Sequence, residues 1–326
     1  MSEILDIEFW AFVGVIAGIY AILALGIQLQ FGFTGILNFG QVAFMAIGAY
    51  AMAILVVKSG LVLWVAIPVG VLIAMGFGAL LALPTVRLRA DYFAILTIAF
   101  GEIVRYVAIN EEGLTGGSQG TIALGGAGEA TSFNSDWQRF ARDLQDALEQ
   151  VVGSLASDDL TMFVIVWAVA LALLALVQLA VSSPWGRVLR AIRDDEDAAA
   201  ALGKNVMLYK TQVLVIGSGL AAIAGLLYAF QASFFSPDDF DPLTTFFAWT
   251  VVIVGGSGRV WAVPLGAVLF GVVFAGTRFF DFAPFAWLDS ADRAYVRLII
   301  VGLILIGLMA FRPQGLVGRR QEMALE

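Results

Sequence analysis

"SPWGRVLRAIRDDEDAAAALGKN" spans Ser183 to Asn205. Arg187, Arg190 and Arg193 come first, then Asp194, Asp195, Glu196 and Asp197, then an alanine run that closes at Gly203. The chain on either side, 160–182 and 211–233, is almost wholly apolar. Roughly 20 apolar residues cross a bilayer, so this charged island reads as a loop between two spans. Working outward from it, the same alternation recurs along the chain. The 326 residues are 60% hydrophobic and 13% charged. Soluble domains are nearer half apolar and about a quarter charged. The reading is an all-α polytopic membrane protein, folded as a single transmembrane domain over residues 1–326.

Nine membrane segments are predicted, near 9–29, 35–57, 61–83, 91–109, 160–182, 211–233, 243–257, 262–280 and 296–311. The seventh is short enough to be re-entrant or tilted. The start, MSEILDIEF, is acidic where a cleavable signal would be basic, so the first apolar run is expected to be a retained span. Lys and Arg set the orientation. Eleven of the 18 fall in 84–90, 183–210, 258–261 and 312–326. That bias predicts an outer N-terminus, a cytoplasmic C-terminus and a cytoplasmic 183–210 loop.

Composition also excludes chemistry. The chain has no Cys and no His, which removes disulfides, thiolate nucleophiles, the commonest metal ligand and the usual general base. No cofactor is expected. A net charge of −8 argues against nucleic acid as a partner. The Gly-rich stretches "TGGSQG" (115–120) and "GGSG" (255–258) lack the Lys-Ser/Thr ending of a phosphate-binding loop and read as turns. If ATP drives this protein, another subunit binds it.

Three further stretches carry polar groups worth weighing. In "QLQFGFTGILNFGQVAFMAIGAY" (28–50), a helix end, a short break and a new helix are expected. Gln28, Gln30, Thr34, Asn38 and Gln41 are polar, and their burial in hydrocarbon without partners would be costly. Interhelical hydrogen bonding and Gly packing account for them, as does a discontinuous helix lining a solute pathway. Thr34, Asn38 and Gln41 are the pathway candidates. Glu102 and Arg105 sit three apart within the fourth span, so their side chains can meet. Glu102 fits a pathway role as well as a self-neutralising pair. The outer loop 110–159 contains "DWQRFARDLQDALEQVVGSL" (136–155), with Trp137, Phe140, Leu144, Leu148, Val151 and Leu155 on one stripe. It predicts an amphipathic helix lying on the membrane surface, capping the outer mouth, or offering a docking face. No tandem repeat is visible, and the residue pattern establishes no inverted repeat.

The 183–205 stretch reads as one or two short helices. The Ser-Pro pair ends the fifth span and Gly203 supplies a stop. The positive-inside rule explains its arginines. It does not explain four acids followed by alanines, whose small surface suits docking into another protein's groove.

Taken together, "RLRADYFAILTIAFGEIVR", "LTGGSQG", "SPWGRVLRAIRDDEDAAAALGKNVMLYK" and "FRPQGLVG" resemble the LivM-type permeases of bacterial and archaeal branched-chain amino acid ABC importers. "TGILNFGQVAFMAIGAY" fits the same pattern. The resemblance covers roughly residues 20–318, less well over 121–159. It departs at "GGSGRVWAVPLGA", where the family's Gly-Pro is replaced by Ala262-Val263, with Pro264 one place later.

The resemblance implies a multi-pass plasma-membrane permease subunit that catalyses no covalent step. It implies a second related permease, two ATP-binding subunits and an extracytoplasmic solute-binding protein as partners. It implies an amino acid as the small-molecule solute, with membrane lipid around the spans. It also implies a coupling helix in 183–210 that docks on the ATPase, with Arg193, Asp194, Glu196, Ala198, Ala199, Ala200 and Gly203 as its residues. Urea or another small polar solute is the alternative within that class. An ion-coupled secondary transporter is the alternative outside it, and a membrane enzyme is weakly favoured.

Overall fold

The computed structural model describes residues 7–86, 90–121, 134–153 and 157–276, with short stretches at 296, 299–300, 302–303, 306–307 and 315–317. The described residues are helical throughout apart from turns and breaks. The main helices are α1 (Ile7–Ile27), α2 (Gln41–Val57), α3 (Leu63–Ala82), α4 (Ala90–Asn110), α5 (Ser135–Val152), α6 (Asp158–Ser182), α7 (Pro184–Asp194), α8 (Glu196–Ala201), α9 (Val206–Ala232), α10 (Pro242–Gly255) and α11 (Ala262–Gly276). Five of them are long and apolar enough to cross a membrane: α1 with its extension to Gly32, α3, α4, α6 and α9. Three apolar helices are shorter: α2, α10 and α11. The expected seventh span is α10, with 14 residues, about 21 Å at 1.5 Å per residue. The expected ninth span, 296–311, lies largely outside the described residues.

The sequence drew the second span from residue 35. The structure begins α2 six residues later, because 35–40 is irregular, non-helical chain. Before it, the end of α1 widens into a π-helical turn over Gln28–Gly32, a form found mostly at functional places in helices. Gly35 then takes φ 71°, a left-handed value that glycine adopts without steric cost. A second break separates α9 from α10. Ser233 turns at φ 58°, and a 3-10 turn over Pro237–Phe240 leads into α10.

α1 and α9 run antiparallel through the centre. Gly26 of α1 faces the Gly217 carbonyl of α9, while Tyr20 and Tyr228 meet at one cavity further along. Each of these two helices packs on the next two apolar helices that follow the other in the chain. α1 packs on α10 and α11, and α9 packs on α2 and α3. The two sets of contacts are alike, and the helices at their centres run in opposite directions.

Small residues set the close crossings, as in membrane bundles generally. A Cβ at Gly225 would stand 2.0 Å from the Met45 carbonyl oxygen, and one at Gly48 would stand 2.6 Å from the Ala222 Cβ. The expected amphipathic helix appears as α5, and Leu155 lies outside the described residues. Its Trp137 stacks on Phe230 of α9 at 4.0 Å and 5°, and Phe140 meets Trp64 of α3 edge-on. The stripe read from sequence therefore covers the ends of the spans.

Gly225→Val should wedge α2 from α9. Overpacking of this kind costs about 1–3 kcal/mol and sometimes more. The expected outcome is a lower melting temperature in detergent and a loss of monodisperse protein. Normal melting would refute the close crossing.

Candidate functional site

The break at 33–40 is held by side chains that reach across it. Gln28, Gln30, Asn38 and Gln41 are fully buried, and Thr34 is 4% exposed. Asn38 Nδ2 donates to Gln30 Oε1 at 3.1 Å and to Gln41 Oε1 at 2.9 Å. Asn38 Oδ1 accepts from the Gly40 amide at 2.9 Å. Gln41 Nε2 donates to the Gly217 carbonyl at 2.8 Å. The Gln30 carbonyl, released from regular helix bonding, accepts from the Ile36 amide at 3.0 Å and from the Thr34 hydroxyl. The new helix gains outside partners as well. Val42 N–H donates to Thr245 Oγ1 of α10 at 3.0 Å, Phe39 N–H to Thr97 Oγ1 of α4 at 2.9 Å, and Trp249 Nε1 to the Asn38 carbonyl at 3.0 Å.

Thr34, Asn38 and Gln41 thus lie together as the sequence suggested, inside the bundle and bonded to the break itself. Gln28 belongs with them. Its Nε2 donates to the carbonyls of Gly256 and Arg259 in the α10–α11 turn, at 3.3 and 3.0 Å. Thr97 and Thr245, also buried, were missed. They sit in separate apolar helices, and nothing local marks them as partners of residues 39 and 42. Glu102 lies elsewhere. Its carboxylate pairs with Arg105 at 3.0 Å, and Arg105 also reaches Asp238 at 3.2 Å, tying α4 to the 237–240 turn.

The charged stretch forms two helices. Ser183 caps α7 by accepting from the Trp185 amide at 3.2 Å, with Pro184 at the first position. Pro is preorganised for that place and has no N–H to leave unpaired. Gly186, Leu189 and Ile192 are buried at spacings that form one helical face. Asp195 caps α8 by accepting from the Ala198 amide at 2.9 Å. Gly203 ends the turn at φ 78°.

Two arginines of α7, Arg190 and Arg193, bond back to the chain. Arg193 Nη1 donates to the Gly32 carbonyl at 2.6 Å, at the end of the π-helical turn. Arg190 donates to the Val181 carbonyl at 2.8 Å and lies 5.7 Å from the Phe33 ring centre. Glu196 pairs with Lys210 of α9. Asp194, Ala198, Ala200 and Gly203 are exposed. Ala199, expected on the docking face, is 3% exposed and turned onto the chain's own helices. Leu202 was not singled out, yet it is 79% exposed beside them.

Apolar helices broken inside the bundle, with uncharged polar side chains at the break and a capped amphipathic loop at one end, define a transport permease. The chain belongs to the branched-chain amino acid transport system / permease component family, whose model matches residues 10–309. It is 34% identical over 304 residues to the high-affinity branched-chain amino acid transport system permease protein LivM of Escherichia coli K12, covering 92% of this chain and 68% of that one. The probable LivM of Methanocaldococcus jannaschii is 23% identical over 338 residues, covering 92% and 90%. LivH of Salmonella typhimurium is 26% identical over 312 residues, covering 92% and 91%. No solved structure matches the chain.

Asn38→Leu would strip Gln30 and Gln41 of a shared donor in a dry interior. Leaving buried acceptors unpaired costs about 1–3 kcal/mol each. The expected outcome is a melting temperature several degrees lower, and Asn38→Asp should be no milder, because its carboxylate can still accept from the Gly40 amide but sets an acceptor against Gln30 Oε1 and Gln41 Oε1. Equal melting of wild type and Asn38→Leu would remove this residue from the scaffold of the break.

Proposed function

We propose that this chain is the transmembrane permease subunit of an ATP-driven importer of branched-chain amino acids in the cell membrane. Its partners are a second related permease, two ATP-binding subunits and an extracytoplasmic binding protein. The observation that carries the reading is family membership over residues 10–309, joined to the capped α7–α8 loop. The LivM and LivH relatives are named as high-affinity branched-chain amino acid permeases, which supports that solute class over urea. A secondary transporter would have no use for an exposed, capped loop helix.

The proposed topology has nine spans, an outer N-terminus and a cytoplasmic C-terminus. In it α5 lies outside and α7–α8 inside. Cysteines introduced as Asp146→Cys and Asp195→Cys should react with impermeant reagents from opposite faces of intact cells and inverted vesicles. Reaction of both from one face would overturn the orientation.

The proposed coupling surface is the exposed side of α8: Asp194, Ala198, Ala200, Leu202 and Gly203, with Glu196 held by Lys210. Arg193 serves from behind. Its grip on the Gly32 carbonyl links α7 to the break between α1 and α2, so that movement of the loop is handed to that break. Thr34, Asn38 and Gln41 keep the broken segment in one piece while it moves beside the solute pathway, and the Glu102–Arg105–Asp238 group holds its outer side. ATP-driven switching between two arrangements needs such a discrete mechanical link.

The assembled importer in proteoliposomes should accumulate labelled leucine only with ATP inside or outside on the ATPase side. Ala200→Arg and Leu202→Asp should lower ATPase co-purification or leucine-stimulated hydrolysis at least tenfold, while permease pairing persists. Arg193→Gln should keep the ATPase bound and lower the leucine moved per ATP. Absence of leucine uptake by the wild-type assembly would refute the function. Normal hydrolysis and coupling in all three variants would refute the surface.

A further inference from the structure

The second break differs from the first in one respect. The chain at 33–40 is packed with its own amide side chains, whereas the 233–241 break opens onto a cavity of about 400 Å³. That size lies within the range of small-molecule sites, about 300–1,000 Å³. Five separate helices and the 3-10 turn wall it. Ile16 and Leu23 of α1, Met45 of α2, Phe247 of α10 and Phe274 of α11 supply apolar surface, and Asp239 supplies a carboxylate.

Asp239 is positioned by neutral donors. Tyr228 donates its hydroxyl to Oδ1 at 2.9 Å, and Ser236 donates its amide at 2.7 Å and its hydroxyl at 3.1 Å to Oδ2. A carboxylate offers about four acceptor positions, so these three bonds leave one. No Lys or Arg among the described residues forms an ion pair with Asp239. The nearby cation, Arg105, is engaged by Glu102 and Asp238. A half-buried carboxylate facing an apolar cavity favours a ligand that brings its own positive charge.

We infer that this cavity is a solute-binding site within the single permease chain, taking a branched-chain α-amino acid with its ammonium on Asp239 and its aliphatic group among Ile16, Leu23, Phe247 and Phe274. The inference rests on the proposed importer function and adds where the solute pauses. The ammonium donates into the open position of the Asp239 carboxylate. Tyr20, Thr244 and Gln231 also line the cavity and provide neutral hydroxyl and amide groups on the carboxylate side of the solute. Ligand sites beside interrupted helices are the common pattern in transporters, because the break frees polar groups in an otherwise apolar layer. Here the amides at the first break bond chiefly to one another and to nearby backbone, leaving Gln28 Oε1 and Gln30 Nε2 without partners, whereas Asp239 at the other break faces an open space.

The test uses the complete importer with its binding protein, reconstituted in proteoliposomes, with leucine as probe. Asp239→Asn keeps an oxygen for the Tyr228 hydroxyl and removes the charge. Ile16→Trp fills the cavity without touching Asp239. Both should lower the leucine uptake rate at saturating loaded binding protein at least tenfold, while complex yield and basal ATP hydrolysis stay within twofold of wild type. Isoamylamine, which has the ammonium and the branched chain, should slow uptake by the wild type and lose that effect in Asp239→Asn. 4-Methylpentanoate, which lacks the amine, should not slow it. Leucine uptake unchanged in both variants would overturn the site while leaving the importer function standing. So would a phospholipid retained in the cavity by native mass spectrometry with uptake unaffected by Asp239→Asn. Failure of the wild type to move leucine would instead defeat the function on which the site rests.

Discussion

Interrupting a helix inside an apolar bundle releases amide and carbonyl groups that water cannot reach. Each must find a partner in the protein, because hydrocarbon offers none. The Thr97, Asn38 and Thr245 oxygens meet that requirement for the amides of Phe39, Gly40 and Val42, and the bond from Gln41 Nε2 to the Gly217 carbonyl ties the network to the centre of the molecule. That bond joins the first residue of α2 to the middle of α9, over the glycine contact that brings α1 and α9 together. The positions of Asn38, Thr97 and Thr245 follow from this need, since each takes up one amide that the break exposes, and Gln30 in turn accepts from the Asn38 side chain.

This constraint explains why polarity in the core is uncharged. An ionised side chain at the break would need a buried counter-charge, and taking both from water costs several kcal/mol per ion before any attraction returns it. Amides supply a donor and an acceptor together, so Gln30, Asn38 and Gln41 can form a chain of bonds without net charge. The ion pairs instead lie near the ends, where Glu102, Arg105 and Asp238 are partly exposed. Exposed pairs of that kind contribute about 0–1 kcal/mol, so they orient the 237–240 turn more than they stabilise it.

Much of this was legible in the sequence, and the limits have physical causes. Long apolar runs announce spans because hydrocarbon thickness sets their length, and α6 and α9 begin and end within a few residues of where composition put them. Ser183 and Pro184 announce the start of α7 because capping is a local interaction. The true start of α2 was hidden, since the amides that the break exposes find their partners far along the chain, Thr97 for Phe39 and Thr245 for Val42. Ala199 was hidden among like neighbours. Four alanines in a row carry no pattern to tell the inward one from its exposed companions. The wall around Asp239 was hidden too, because its members come from helices at both ends of the chain.

The two breaks have opposite consequences because of what stands beside them. At the first, the chain's own amides occupy the space, and Arg193 closes the end of the π-helical turn by taking the Gly32 carbonyl. A filled break resists local rearrangement, so in the proposed coupling a force applied through α7 would move the joined α1–α2 segment as a unit. At the second, the 3-10 turn holds Asp239 from outside the cavity, and the space between α1, α9 and α10 stays open. Because α1 and α9 run antiparallel in contact, displacement of the end of α1 at Gly32 would change how Tyr20 and Leu23 face Tyr228 and Asp239 further along. In the proposed mechanism the filled break at the loop end is then the lever, and the open one at the other end is the space whose shape it would control. Both arise from one packing rule, that a broken helix must be completed by its neighbours.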